Sequence, residues 1–137
     1  MTGDELAAQA RALVGAPFRL HGRDPETGLD CLGVLAAALA ACGISARLPN
    51  GYVLRNRILP ELGDYVAGNG LMPATGPFAT GDVLLVRTGP YQIHLLIAVD
   101  NKNFVHAHAG LRRVICGGLP GEWPVLRHWR IFSENKD

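Results

Sequence analysis

Apolar positions along this chain follow two different periods, and the change from one to the other falls near Gly81. At the start, Thr2-Gly-Asp-Glu5 has the form of a capping box, in which the threonine hydroxyl and the glutamate carboxylate each accept from the other's backbone N–H. Leu6, Ala10, Leu13 and Val14 then recur at helical spacing and predict a helix over residues 3 to 14, stopped by Gly15 and Pro17. The next segment, GAPFRLHGRDPETGL at 15 to 29, has no period and predicts a loop of functional length. Asp30 precedes CLGVLAAALAAC, with no charged residue between Cys31 and Ile44. A helix apolar on every side is a buried one. Leu59, Leu62 and Val66 mark a looser helix or irregular excursion over 56 to 67, and Gly68, Gly70, Pro73, Gly76 and Pro77 predict a loop after it.

Beyond Gly81 the pattern becomes that of strands. Five short ones are predicted at Asp82 to Arg87, Ile93 to Val99, Asn103 to Ala109, Val114 to Cys116 and Val125 to Phe132. Asp100-Asn101-Lys102 is the hairpin loop between the second and third. Helices first and strands afterwards predict an α+β fold in one domain, residues 1–137, with N-terminal helices packed on a C-terminal antiparallel β-sheet.

Composition narrows the functional classes. With 137 residues, 48% of them apolar, the chain is long enough for a genuine core. Thirteen basic and 12 acidic residues leave a formal charge of +1, which gives neither nucleic acid nor an anionic membrane a reason to bind. The N-terminus carries Asp4 and Glu5 and no apolar run, so no signal peptide is expected. Cys31, Cys42 and Cys116 are an odd number without C-x-x-C spacing, which excludes a full disulfide framework and fits a site that needs a thiolate.

Cys31 carries the strongest chemical signal. Behind the N-cap Asp30 it occupies the first turn of a buried helix, where unpaired amides and the helix dipole favour a thiolate and lower the thiol pKa. Asp30 opposes this, so its role is capping. The alternative is a small core residue, as free cysteines commonly are; Cys42 and Cys116 read that way. A nucleophilic cysteine needs a base. Among five histidines, His94 interrupts the apolar strand IHLLIAV, and His106 and His108 share one face of FVHAH. A three-residue loop sets His94 opposite His108, whereas a two-residue loop puts His94 and His106 on opposite faces. Spacing decides neither. One cysteine with two or three histidines could also hold zinc, but no tight ligand pair is present, and no cofactor or metal is called for. His21 and His128, flanked by arginines, read as surface or groove residues. Gly15, Gly22, Gly28 and Gly33 follow no nucleotide-binding spacing.

Four segments together resemble the NlpC-type bacterial cell-wall cysteine peptidases, a papain-like family: GAPFRLHG at 15 to 22, LDCLGVLAAA at 29 to 38, GDVLLVRTG at 81 to 89 and HLLIAVDNKNFVHA at 94 to 107. The branch most similar is the phage or prophage tail-associated one, and HWRIF at 128 to 132 has its look as well. The resemblance implies a papain-like fold with Cys31 as nucleophile, His94 as base and His106 as the orienting third residue. It implies peptidoglycan stem peptides as substrate, cleaved between γ-linked D-glutamate and diaminopimelate. Phage tail proteins would be partners, and the chain would be made in the cytoplasm and delivered to the wall with a phage or phage-like particle. Three positions depart from the family pattern: Phe18 stands for a tyrosine whose hydroxyl faces the oxyanion, Leu32 for a serine, and Leu96 for a glycine. The class alternatives are a structural phage-tail protein that keeps the fold, and an acyltransferase using the same cysteine and histidine.

Overall fold

The Thr2 hydroxyl accepts from the Glu5 N–H at 3.1 Å and the Glu5 carboxylate accepts from the Thr2 N–H at 2.7 Å, closing the capping box of the first helix. The computed structural model of the protein describes residues 1–44, 66, 68–90 and 92–132. Within them lie helices α1 (Gly3–Arg11) and α2 (Cys31–Ala41) and strands β1 (Arg23–Asp24), β2 (Gly28–Leu29), β3 (Leu71–Pro73), β4 (Val83–Gly89), β5 (Gln92–Ala98), β6 (Phe104–His108), β7 (Arg113–Gly117) and β8 (Val125–Ile131). The α+β layout is as expected, two helices on a six-stranded antiparallel sheet in the order β3-β8-β4-β5-β6-β7.

Alternation along the strands divides the sheet into two faces. Val83, Leu85, Ile93, Leu95, Ile97 and Val105 point toward Leu6, Leu32, Leu35 and Leu39 of the helices and form the main core with them. Leu84, Val86, Leu96, Ala98 and Phe104 form a second cluster on the opposite face, covered by Phe78, Leu119 and Trp123. The first turn of α2 is buried throughout, Ala36 and Ala37 are half-buried, and the helix is exposed at Ala40 and Ala41.

The structure departs from the sequence expectations at three elements. The first helix ends at Arg11, because Gly15, at φ +98°, turns the chain toward β7 and donates its N–H to the Val114 carbonyl at 2.9 Å. Residues 15 to 29 are not a structureless loop. They hold the β1–β2 hairpin and two single bridges, Pro17 to Arg113 and Phe18 to Leu29. Residues 71 to 73, expected in a loop, form edge strand β3 against β8, where Pro73 is tolerated at the strand end. Of the helix or excursion expected over 56 to 67, only Val66 is described, and it is buried; the rest lies outside the described residues.

Candidate active site

Asp30 sets the position of α2. Its buried carboxylate accepts from the Gly33 N–H at 2.8 Å, the His21 N–H at 2.8 Å and Arg23 at 3.2 Å, so one side chain caps the helix and ties down the preceding loop. Gly33 permits the close approach this requires, since a Cβ there would run into the Gly22 carbonyl oxygen. Cys31 is thereby fixed in the first turn of the helix, facing the sheet.

The sheet is open at that point. β5 and β6 are paired only at Ile97–Val105 and Ala98–Phe104, next to their connecting loop. Beyond those pairs the ladder is not continued, and a cavity of about 440 Å³ is lined by Gln92, Ile93 and His94 of β5, His106 and His108 of β6, and Cys31 and Phe18 from the helical side. The missing pairing frees backbone groups. The N–H groups of Leu95, Leu32 and Cys31 itself all bear on the sulfur and lower its pKa.

They do not prevail. Cys31 is only 2% exposed, and desolvation, helped by the Asp30 charge, pushes the thiol up to about 12. The low thiol pKa expected from a helix start is therefore corrected: burial outweighs the helix amides, and the thiol is neutral at rest.

His94 Nε2 and His106 Nδ1 are 3.0 Å apart, a hydrogen bond between imidazoles at an interplanar angle of 82°. Burial is the main reason both rings are held neutral. The His94 pKa falls to about 3, with the His106 and His108 charges adding to the effect, and that of His106 falls to about 4, with His108 adding. The register near the loop is the three-residue one, which sets His94 opposite His108. His106 is then the diagonal neighbour on the same face, within reach of an aromatic side chain. His108 also lines the cavity, but its Nδ1 accepts from the Leu111 N–H at 3.0 Å and so serves the turn.

The remaining candidates separate from this group. His21 is exposed, with φ +62°. His128, expected at the surface or in a groove, is largely buried, its Nε2 2.5 Å from the carboxylate of buried Asp82, which also accepts from Arg130 at 2.9 Å. All three cysteines are free, Cys42 half-buried and Cys116 exposed. Among the described residues no group of three or more His, Cys, Asp or Glu is arranged to hold a metal ion. Nor is any helix among them long and apolar enough to cross a membrane.

Trp123 was not singled out by the sequence reading. Its ring lies 6.1 Å from His94 and 6.0 Å from His106, near perpendicular to both. The available signal was a tryptophan between Glu122 and Pro124 in an otherwise polar, glycine-rich turn. A large apolar ring at such a place needs a surface to cover.

No protein-family model matches this sequence, and no curated protein matches it. Solved structures do match in three dimensions. NlpC1 from Trichomonas vaginalis superposes with a TM-score of 0.70 at 19% identity, over 96% of this chain and 45% of that one. NlpC2 from the same organism gives 0.69 at 17% identity, over 96% and 47%. This chain thus spans about half the length of either protein. The NlpC/p60 domain of the peptidoglycan hydrolase SagA gives 0.63 at 20% identity, over 97% of this chain and 100% of that one. With a capped helix carrying Cys31 packed on a six-stranded antiparallel sheet whose strand β5 carries His94, the chain has the papain-like α+β fold of the NlpC/p60 domains.

Proposed function

We propose that this chain is a peptidoglycan-hydrolysing cysteine endopeptidase that cleaves stem-peptide amide bonds of the γ-D-glutamyl-diaminopimelate type, with Cys31 as nucleophile, His94 as base and His106 as the residue that orients it. The observation that carries this reading is the hydrogen bond of 3.0 Å between His94 and His106, made in the lining of the cavity that also contains Cys31. The fold shared with the domain of a peptidoglycan hydrolase supports the choice of substrate.

In this reading His106 occupies His94 Nε2, which leaves Nδ1 to receive the thiol proton. The sulfur attacks the amide carbonyl as that proton leaves, forming a C–S bond and a tetrahedral oxyanion. The Cys31 backbone N–H is one donor to that oxygen. Phe18, which lines the same cavity, has no hydroxyl to offer as a second donor. Collapse of the intermediate breaks the C–N bond, and His94 returns its proton to the departing amine. Water, deprotonated by His94, then attacks the thioester, releasing the carboxylate and restoring the thiol.

One observation favours a second reading, a structural phage-tail protein that keeps the fold without the chemistry: the buried, high-pKa thiol of Cys31. Incubation with purified muropeptides and mass analysis of the products, beside a Cys31→Ala control, decides between them. The peptidase reading expects new stem-peptide fragments with the natural chain and none with the control. Intact muropeptides in both would leave the structural reading.

A further inference from the structure

Three aromatic rings stand nearly at right angles to one another in the cleft. His94 and His106 are 82° apart, and Trp123 is inclined at 79° to the first and 81° to the second. The indole is equally close to both, at 6.1 and 6.0 Å, so it spans the pair instead of stacking on one member. Both spacings fall in the range of favourable edge-to-face contacts.

Trp123 is held there by its surroundings. Its N–H donates to the Pro120 carbonyl at 3.1 Å, closing a turn. Pro124 follows and disfavours a helical backbone at Trp123. The Pro124 carbonyl in turn accepts from the Arg87 N–H at 2.9 Å, fixing the turn to β4. The ring packs on the same face of the sheet as Leu84, Val86, Leu96 and Phe104, partly buried, and reaches the lining of the cavity.

We propose that Trp123 is a positioning residue of this site: its indole covers the hydrogen bond between His94 and His106, holding both rings in place and keeping water from that bond. A hydrogen bond between two neutral imidazoles is easily lost to solvent, and a covered one is stronger because the local dielectric is low. The groups facing His94 are few among the described residues. His106 and His108 face it from β6, apolar Val86 lies opposite on β4, and Cys31 at the start of α2 shares the cavity. Glu122, exposed, precedes the indole on its turn. Among the described residues no carboxylate is paired to either ring, and burial is what keeps the two histidines uncharged.

The test needs no substrate, so it can fail or succeed apart from the peptidase reading on which the word site rests. Imidazole resonances of His94 and His106 are followed against pH by NMR in the natural protein, in Trp123→Ala and in Trp123→Phe. In the natural protein both rings stay neutral to below about pH 5; in Trp123→Ala their midpoints rise by about one pH unit or more toward the ordinary histidine value. Trp123→Phe, which keeps a ring, gives a smaller rise in the same direction, and it serves alone if the alanine variant fails to fold. Midpoints unchanged in a folded variant would overturn the proposal and leave Trp123 as a wall of the cleft only. With an active preparation, the acid limb of kcat/KM moves to higher pH in step with the NMR midpoints, whereas a plain wall would change KM without moving the limb.

Discussion

At Cys31 five influences meet on one sulfur atom. Burial is the largest and raises the pKa; the backbone N–H groups of Leu95, Leu32 and the cysteine itself lower it; Asp30 raises it again. Arg23, 3.2 Å from the Asp30 carboxylate, offsets part of that negative charge. With the thiol near 12 and the His94 imidazole near 3, the resting pair is uncharged, and any reaction must move the proton during attack. A small alkylating reagent at neutral pH should therefore modify exposed Cys116 first and Cys31 last. A peptide-like electrophile that fills the cleft should reverse the order, and His94→Ala should abolish its reaction with Cys31. Mass mapping of the labelled peptides checks both, and no modification of Cys31 by either reagent would speak for an inert thiol. The placement of Cys31 at a helix start was legible because Asp30 precedes an uncharged run. Its depth was not, since that depends on where two strands far along the chain stop pairing.

Among the elements, the β5–β6 hairpin decides which histidine supports His94. The place of the loop was legible in Asp100-Asn101-Lys102 but its length was not, and the observed pairs Ile97–Val105 and Ala98–Phe104 give the three-residue form. Counting onward from the loop gives His108 as the facing residue, yet the hydrogen bond goes to His106. The reason is the end of the ladder: once the strands are no longer bonded to each other, strict opposition ceases to govern and the twist favours a diagonal neighbour. His94→Ala should abolish turnover. His106→Ala should lower kcat by about 10²-fold, because the base loses its orientation but not its chemistry. His108→Ala should retain most of the turnover, since its ring nitrogen serves the Leu111 turn. Steady-state kinetics of the three purified variants checks this, and equal losses at 106 and 108 would remove the distinction. β3 was illegible for a different reason: three residues carrying a proline give no periodic signal and become a strand only because β8 is there to pair with.

For the whole molecule, the two neutral histidines set the response to acid. Their folded pKa values, about 3 and about 4, lie below the unfolded value of about 6.5. The unfolded chain therefore binds more protons than the folded one as pH falls through this window. The stabilisation they give is fully present above about pH 6.5 and is lost progressively toward about pH 4 for His106 and about pH 3 for His94. Asp82 acts lower. Burial would raise its pKa, but hydrogen bonds from Arg130, the Ala79 N–H and His128 outweigh it and lower the value, so its contribution is lost only below the ordinary carboxylate range. The melting temperature should thus already fall between about pH 6.5 and pH 5, and fall less steeply in His106→Gln. Parallel slopes for the two proteins would mean that the acid response originates elsewhere. The division into helices and sheet was legible from the change of period at Gly81, whereas the order of strands was not, because nothing local tells β8 to lie between β3 and β4.

That insertion bears on how the molecule comes into being during synthesis. The ribosome delivers the chain from its N-terminus, and folding follows as segments emerge. Cys31 and its helix are made early, but Trp123 comes from the turn before β8, and β3 has no partner until β8 arrives. A nascent chain that has just completed β7 holds the thiol and all three cleft histidines. Yet it lacks the strand joining β3 to β4 and the ring beside the histidine pair. Contacts so distant along the sequence form slowly. Of the residues that line the cleft, Trp123 is thus the last to leave the exit tunnel, and the strand that fixes β3 to the rest of the sheet follows it.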